Sequence, residues 1–323
     1  METKERVLTM LYAQKGQSVS GEEIAASLGI SRNSVWKTVN QLRKEGYEIS
    51  SKTNDGYTLL GECELFNEYS IAKYARGKYQ IELYDVLPST NDTAKEYASK
   101  GAVEGTVIVA RAQTKGKGRM GRKFFSESEN GLYFSLILRP KISLDKCSFL
   151  TVMTAVSVLE AIKETCGREC RIKWVNDIYI NDRKVCGILT EASLNMENAS
   201  TDYAVIGIGI NVSIDKDGFN DEIKDIAGAI FDTTDIKNEY KSKLLAKILD
   251  NIFLYYESFQ VERFIEKYRQ SSNLIGENVD VLRGNETIEG KVLDIDNEAR
   301  LVIEDKAGKI HRFFSGEARV KRK

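Results

Sequence analysis

Apolar positions in the first sixty residues recur at three- to four-residue intervals in the segments 4–14, 21–28 and 32–44, and each predicts a helix. In "SLGISRNSVWKTVNQLRKEGY" Val35, Val39 and Leu42 form the buried stripe of the third, and Ser31 stands where a side chain caps its first turn. The intervening "LGIS" leaves room only for a tight link. Beyond it, "YEISSKTNDGYTLL" alternates apolar and polar residues about Asn54-Asp55-Gly56, which is a hairpin pattern. Three helices and a hairpin in this order predict a winged helix-turn-helix over residues 1–62.

From about residue 63 the period switches back and forth. "NDTAKEYASKGA" predicts a helix stopped by glycine, "GTVIVARAQ" and "GLYFSLILRP" strands, and "SFLTVMTAVSVLEAIKETCG" a long amphipathic helix ended by Gly167. "RIKWVNDIYI", "KVCGILTEASL" and "YAVIGIGINV" read as three consecutive antiparallel strands, the first two joined by the polar turn "NDR". Helical periodicity returns near 237–257 and 261–270. The rest, "ENVDVLRGNETIEGKVLDIDNEARLVIEDKAGKIHRFF", is short strands split by Gly, Asn and Asp. The expected architecture is multidomain α+β: the winged helix (1–62), a central domain with a mixed or antiparallel sheet (63–272) and a small β-barrel cap (273–323).

Composition narrows the chemistry. Its 47 Lys and Arg balance 48 Asp and Glu, so the chain is no general polyanion binder and any basic site is local. Such a site exists between Arg32 and Lys52, which holds five basic and two acidic residues. With Arg32, Asn33, Ser34 and Lys37 displayed at the start of the third helix, that face suits a major groove, the hairpin touching phosphates. A small protein-interaction module is the competing reading. The five cysteines are odd in number and scattered, and "METKERVLTMLYAQ" lacks an apolar signal core, so a reduced, cytoplasmic protein is expected. No apolar run approaches the roughly 20 residues needed to cross a bilayer. His311 is the single histidine, which nearly excludes histidine-based triads and multi-histidine zinc sites.

The most unusual segment is "ARAQTKGKGRMGRKFF". Gly116, Gly118 and Gly121 have the spacing of a dinucleotide fingerprint, but that motif needs a helix opening at the glycines, and here a strand follows. What remains is charge: six cations and no acid between Arg111 and Lys123. Such a loop resists ordering until an anion condenses it, which suits a phosphate or carboxylate; a solvated basic loop and a nucleic-acid contact are the alternatives. In "KWVND" strand alternation would put Lys173, Val175 and Asp177 on one face, with Lys184 close by; a carboxylate there either supports Mg²⁺ on a phosphate or forms an ion pair. The glycines of "GIGINV" suggest close backbone approach or a bulge, and Ser89 or Thr90 of "LPSTND" offers hydroxyls or a helix cap.

Taken in order, "PSTND", "GKGRMGRKF", "KWVND", "KVCGILTE" and "GIGINV" resemble the biotin protein ligases, and the frame of winged helix and terminal barrel matches the subgroup that is both biotin ligase and biotin operon repressor. The resemblance covers essentially the whole chain. It implies an SH3-like C-terminal barrel, and formation of biotinyl-5′-AMP from biotin and ATP with Mg²⁺. Biotin then passes to a lysine of a biotin carboxyl carrier protein, an acetyl-CoA carboxylase subunit or that of another biotin-dependent carboxylase. It further implies a homodimer on adenylate binding, operator DNA as partner, and no membrane. By resemblance Ser89, Thr90, Asn91, Gln113, Gly116, Lys117, Gly118, Arg119 and Lys184 bind biotin, and Lys117, Arg119, Arg122, Phe124, Asn176 and Asn211 the nucleotide. Lys184, Arg119 and Asp177 carry the chemistry, with Asp177 either the Mg²⁺ ligand or the group that polarises the incoming lysine amine, while Ser31, Arg32, Asn33, Ser34, Lys37 and Lys52 face DNA. Three positions depart from the pattern: Lys117 and Phe124 stand where Arg and Trp are usual, and Val175 where Pro is frequent.

Overall fold

The computed structural model describes residues 3–44, 47–52, 56–60, 66–143, 146–195, 200–214, 218–234, 236–284 and 286–321, and falls into two compact units, Met1–Phe66 and Asn67–Lys323. In the first, α1 (Thr3–Ala13), α2 (Gly21–Leu28) and α3 (Arg32–Lys44) precede the antiparallel pair β1 (Ile49–Lys52) and β2 (Gly56–Leu59). Ser20 caps α2 through the Glu23 amide, and Gly29 closes it in the left-handed conformation at φ 67°, where a side chain would be strained. The Ser34 amide donates to Ser31 Oγ at 3.1 Å, so Ser31 serves as the cap of α3. Val35, Val39 and Leu42 are fully buried against Val7, Leu11 and Ile24 of the same core. Asn54 and Asp55 of the expected hairpin tip, and Cys63, lie outside the described residues.

The second unit runs α4 (Glu68–Tyr74), β3 (Gln80–Leu87), α5 (Thr90–Ser99), β4 (Thr106–Gln113), β5 (Gly131–Leu138) and α6 (Cys147–Cys166). Then come β6 (Arg171–Lys173), β7 (Asp177–Ile180), β8 (Arg183–Asn195) and β9 (Ser200–Asn211), followed by α7 (Asn238–Tyr256) and α8 (Val261–Gln270). The seven-stranded sheet has the order β3-β4-β5-β9-β8-β7-β6, parallel between β3 and β4 and antiparallel elsewhere. Helix α5 lays Ala94 and Ala98 on Ile108, Ile137 and Val205. Helix α6 packs beside β8 and is itself covered by α7 and α8. That cover corrects the expectation of an amphipathic α6, which buries Phe149, Leu150, Val152, Met153, Val156, Val158 and Ile162 around most of its girth.

A second correction concerns "RIKWVNDIYI", which is a hairpin and not one strand: Lys173 pairs with Asp177 across a turn at 174–176. Trp174 and Val175 are both buried, which a regular two-faced strand does not allow for neighbours. The turn is held from outside the sheet. Tyr268 of α8 donates its hydroxyl to the Val175 carbonyl at 2.8 Å, and the Trp174 indole N–H donates to the Ala299 carbonyl at 3.0 Å.

The last strands, β10 (Asn278–Arg283), β11 (Glu286–Ile295), β12 (Leu301–Glu304), β13 (Ile310–Phe313) and β14 (Glu317–Val320), form an antiparallel sheet in the order β13-β12-β11-β10-β14. Among the described residues β13 and β14 do not pair, so the sheet is open. No helix is long and apolar enough to cross a membrane, among the described residues.

Ile137 has no exposed surface and fills the space beneath α5. Ile137→Ala is expected to lower unfolding free energy by about 2–5 kcal/mol in denaturant titration, and a loss under about 1 kcal/mol would mean that this core is not close-packed.

Candidate active site and DNA-facing helix

Three glycines on two adjacent strands leave a strip of the central sheet without side chains. Gly187 of β8 and Gly209 of β9 are register partners, and Gly207 lies two pairs along, opposite Leu189. A Cβ at Gly207 would lie 2.0 Å from Asn91 Oδ1, and at Gly209 or Gly187 it would lie 2.6 or 3.1 Å from the Phe124 ring. Asn91 and Phe124 therefore rest directly on backbone.

Around the Asn91 end the groups are neutral and almost wholly buried. Gln113 Oε1 accepts from the Thr90 amide at 2.7 Å and the Thr90 hydroxyl at 3.1 Å, and Gln113 Nε2 donates to Ser126 Oγ at 3.1 Å. The Ser135 hydroxyl lies 2.8 Å from Thr90 Oγ1 and 2.6 Å from Asn91 Oδ1. Asn91 Nδ2 donates to Glu191 at 2.8 Å. Ser89, buried at the head of α5, makes no capping bond. Ser89, Thr90, Asn91 and Gln113 line a narrow cavity of about 50 Å³ together with Lys117, Gly118, Arg119, Phe124, Asn176 and Lys184.

A roomier cavity of about 310 Å³ adjoins it, and Gly118, Arg119, Phe124, Asn176 and Lys184 border both. Its remaining polar lining includes Arg122, Lys173, Asp177, Asn211 and Glu317. Arg119 donates to Asn176 Oδ1 at 3.0 Å, and Asn176 Nδ2 donates to the Ile188 carbonyl at 2.8 Å. Burial weakens the hold of Arg119 on its proton, an effect that Asp177 opposes. Lys173 is pushed down from its ordinary value by burial, against Asp177 and Glu317. Lys184 Nζ stands 2.7 Å from Asp177 Oδ1 as an ion pair, but without hydrogen-bond alignment, so that buried oxygen has no hydrogen-bond partner. Asn211 donates to the Gly228 carbonyl at 2.9 Å.

The glycine loop is folded into a tight turn over this junction. Gly118 N–H donates to the Arg122 carbonyl at 2.7 Å, Phe124 N–H to the Gly116 carbonyl at 2.9 Å, and Lys117 faces Lys123 in a bridge. Gly116 is buried under Phe124, and a Cβ there would meet the Phe124 carbonyl at 2.3 Å, so it supports the loop from below. The repulsion expected of its cations is offset by carboxylates from elsewhere: Lys117 meets Asp92 at 2.6 Å, and Arg122 meets Glu317 of β14. Glu317 feels burial first, which would raise it, but Arg122 and Arg319 outweigh burial and hold it at about 2.

In the other unit Arg32, Asn33 and Lys37 are exposed and Ser34 half-exposed, with Arg32 3.5 Å from the Glu22 carboxylate. Lys52 closes β1 opposite Gly56, and its side chain lies outside the described residues. Beside them Trp36 is 53% exposed, a large apolar group that stripe analysis passes over because it lies off the buried face. Among the described residues no cluster of three His, Cys, Asp or Glu is arranged for a metal. Sequence reasoning also missed Gly187, Asp92, Ser135, Glu191 and Glu317; only Gly187, a glycine inside an apolar strand, carried a readable signal.

A hydrogen-bonding cavity joined to a cationic one on a mixed sheet, in a chain that begins with a helix-turn-helix unit, defines a ligase-type α+β chain with a DNA-binding module. The Biotin/lipoate A/B protein ligase family matches residues 83–211, an HTH domain residues 3–58, and the Biotin protein ligase C terminal domain residues 274–320. The bifunctional ligase/repressor BirA of Bacillus subtilis is 38% identical, with 98% of each chain covered. That of Escherichia coli is 27% identical over 94% of this chain and 92% of its own. The biotin protein ligase of Aquifex aeolicus, solved in complex with biotin and ATP, superposes with a TM-score of 0.62 at 30% identity, covering 76% of this chain and 99% of that one. The chain belongs to the biotin protein ligase family.

The Arg122–Glu317 tie has a defined pH window. Since Glu317 sits below its ordinary 4.5, the stability it adds is fully present above about pH 4.5 and is lost as pH falls toward about 2. Glu317→Gln should be less stable than the parent by at most about 1 kcal/mol at pH 7, the pair being partly exposed, and the two denaturation curves should converge near pH 2.

Proposed function

We propose that the two joined cavities divide one reaction between them: the neutral one takes the ureido ring of biotin, the cationic one takes ATP, and the bond forms where they meet. The observation that carries this reading is that Arg119, Asn176 and Lys184 border both cavities. The chain is a biotin protein ligase and biotin-responsive repressor, in keeping with its identity to the bifunctional relatives over nearly its full length.

Biotin brings a carboxylate and ATP brings a polyphosphate, so the site must cancel repulsion before it can promote attack. Lys184 and Arg119 are placed for that, with Lys117 and Arg122 reinforcing them from the loop. A carboxylate oxygen attacks the α-phosphorus, pyrophosphate leaves, and biotinyl-5′-AMP remains. The ε-amine of a carrier lysine then attacks the acyl carbon and AMP departs. Ser89, Thr90, Asn91 and Gln113 are the hydrogen-bonding set for biotin, with the Gly116 and Gly118 backbones close by; Phe124 and Asn211 would lie against the adenine, beside Asn176. The narrow cavity has to widen to admit a bicyclic ring, and the loop residues Arg119 and Phe124 are its movable walls. Closure afterwards shields the mixed anhydride from water.

A divalent cation fits one place. Asp177 Oδ1 is buried and faces the Lys184 ammonium at 2.7 Å without a hydrogen bond, and Mg²⁺ bound through phosphates needs only one or two protein carboxylates. Asp177 would hold Mg²⁺ there, where the ion would neutralise phosphate charge.

The same reading takes residues 1–62 as the operator-binding domain, using Ser31, Arg32, Asn33, Ser34, Lys37 and Lys52. Residues 63–272 are the catalytic domain, and 273–323 an SH3-like barrel built from the open antiparallel sheet. Its partners are the carrier domain of a biotin-dependent carboxylase, operator DNA and, once adenylate is bound, a second copy of the chain, all in the cytoplasm. In such a dimer, two recognition helices meet paired half-sites.

Exchange of labelled pyrophosphate into ATP is expected to depend on biotin and not on lipoate; exchange with lipoate alone would reassign the substrate. Lys184→Ala should lower the biotin-dependent exchange on the order of a hundredfold or more. For the DNA role, the double substitution Arg32→Ala, Lys37→Ala should abolish the adenylate-dependent operator shift and flatten the salt dependence by roughly two counter-ions, whereas an unchanged shift would remove α3 as the reading helix.

A further inference from the structure

The cation that most departs from the family pattern is turned toward its own protein. Lys117 Nζ lies 2.6 Å from Asp92 Oδ1, in the first turn of α5. Lys95, one turn along, lies 3.2 Å from the same oxygen and 2.7 Å from Glu191 Oε1. Glu191 Oε2 in turn accepts from Asn91 Nδ2 at 2.8 Å, and Asn91 rests on Gly207 at the floor of the narrow cavity. A continuous run of opposite charges thus leads from the first limb of the glycine loop, over α5, to the carboxamide at the bottom of the site.

We infer that Asp92 is the latch of the glycine loop: a positioning residue whose carboxylate holds Lys117, and through it the lid, over the site, while Lys95 and Glu191 tie the latch to Asn91. The chemistry suits the task. Both partners are 44% exposed, so the pair is hydrated, weak and quickly reversible, which a lid that must open for each substrate requires. An arginine fork would bind a carboxylate bidentately and release it more slowly, whereas the lysine ammonium is a single point charge. Burial would raise Asp92, yet Lys117 and Lys95 together hold it below its ordinary value, so it stays anionic throughout the neutral range. Asp92 also begins the helix beside the dipole end that favours a negative charge, so it remains in place when the loop swings away. This inference rests on the ligase reading only for what the lid covers.

The latch can be read without catalysis. Arg119 and Arg122 give an arginine-specific protease two cleavage residues within the loop, and neither partner of the pair is one of them. Asp92→Asn and Lys117→Met should each speed loop cleavage about two- to fivefold at low salt, the range expected of a hydrated ion pair. The double variant should be no faster than either single one, and high salt should bring the parent toward the variants. Asp92→Glu, which keeps the carboxylate at the same place, should retain protection, which guards against a variant that merely folds badly. Unchanged cleavage in Asp92→Asn, or effects that multiply in the double variant, would overturn the latch. In a second arm Asp92→Asn should release preloaded adenylate about two- to fivefold faster than the parent, and equal release alongside faster cleavage would overturn its role as a lid over the site. If the parent forms no adenylate the ligase reading fails, while the protease arm still decides the latch.

Discussion

The absence of side chains at three positions governs the catalytic unit. Gly187, Gly207 and Gly209 bare a strip of backbone where β8 and β9 pair, and a methyl at Gly207 would collide with the Asn91 carboxamide. Because nothing projects from the strip, a buried amide and an aromatic ring can both lie directly on the sheet. Every other part of the site is arranged around that floor: α5 brings Ser89, Thr90 and Asn91 to one end, the hairpin at 174–176 brings Asn176 and Asp177 to the other, and the glycine loop lies across the top.

Charge is then sorted by distance from the floor. Close to it the groups are neutral and satisfied by one another, as in the Gln113, Thr90 and Ser126 set, which favours a ligand that can replace those bonds one for one. Toward the opening the cations gather, and three of them have a carboxylate within reach: Lys184 with Asp177, Lys117 with Asp92, Arg122 with Glu317. Bound phosphates therefore compete with internal anions for the same cations. Such competition lets a densely basic loop hold a defined shape within a chain of nearly zero net charge.

Much of this was legible before any coordinates. The helix-turn-helix stripe, the Ser31 cap, and the strands at 106–113 and 131–138 followed from period and capping chemistry, because those signals are local. The motif order pointed to the residues lining both cavities. What escaped depends on partners distant in sequence. Strand β3 is half-exposed at a sheet edge and lacks a clean alternation, and α6 is covered by helices that follow it by about seventy residues or more. The turn inside "RIKWVNDIYI" is set by Tyr268 and Ala299, and no window on that segment contains either. Asp92 and Glu191 were invisible for the same reason: a carboxylate's role depends on which cation the fold brings to it.

The grip on the 174–176 turn bears on how such chains can be shortened or recombined. Its two outside contacts come from α8 and from the β11–β12 connection, so the segment carrying Asn176 and Asp177 is buttressed by residues about a hundred positions downstream. The terminal sheet also supplies Gly316, Glu317 and Ala318 to the larger cavity. A gene ending after α8 would encode a chain with part of the larger cavity's wall missing, and swapping terminal sheets between relatives would transplant part of that candidate site along with the cap. Residues up to Phe66 form a compact unit of their own, whereas the last fifty residues form part of the wall of the larger cavity.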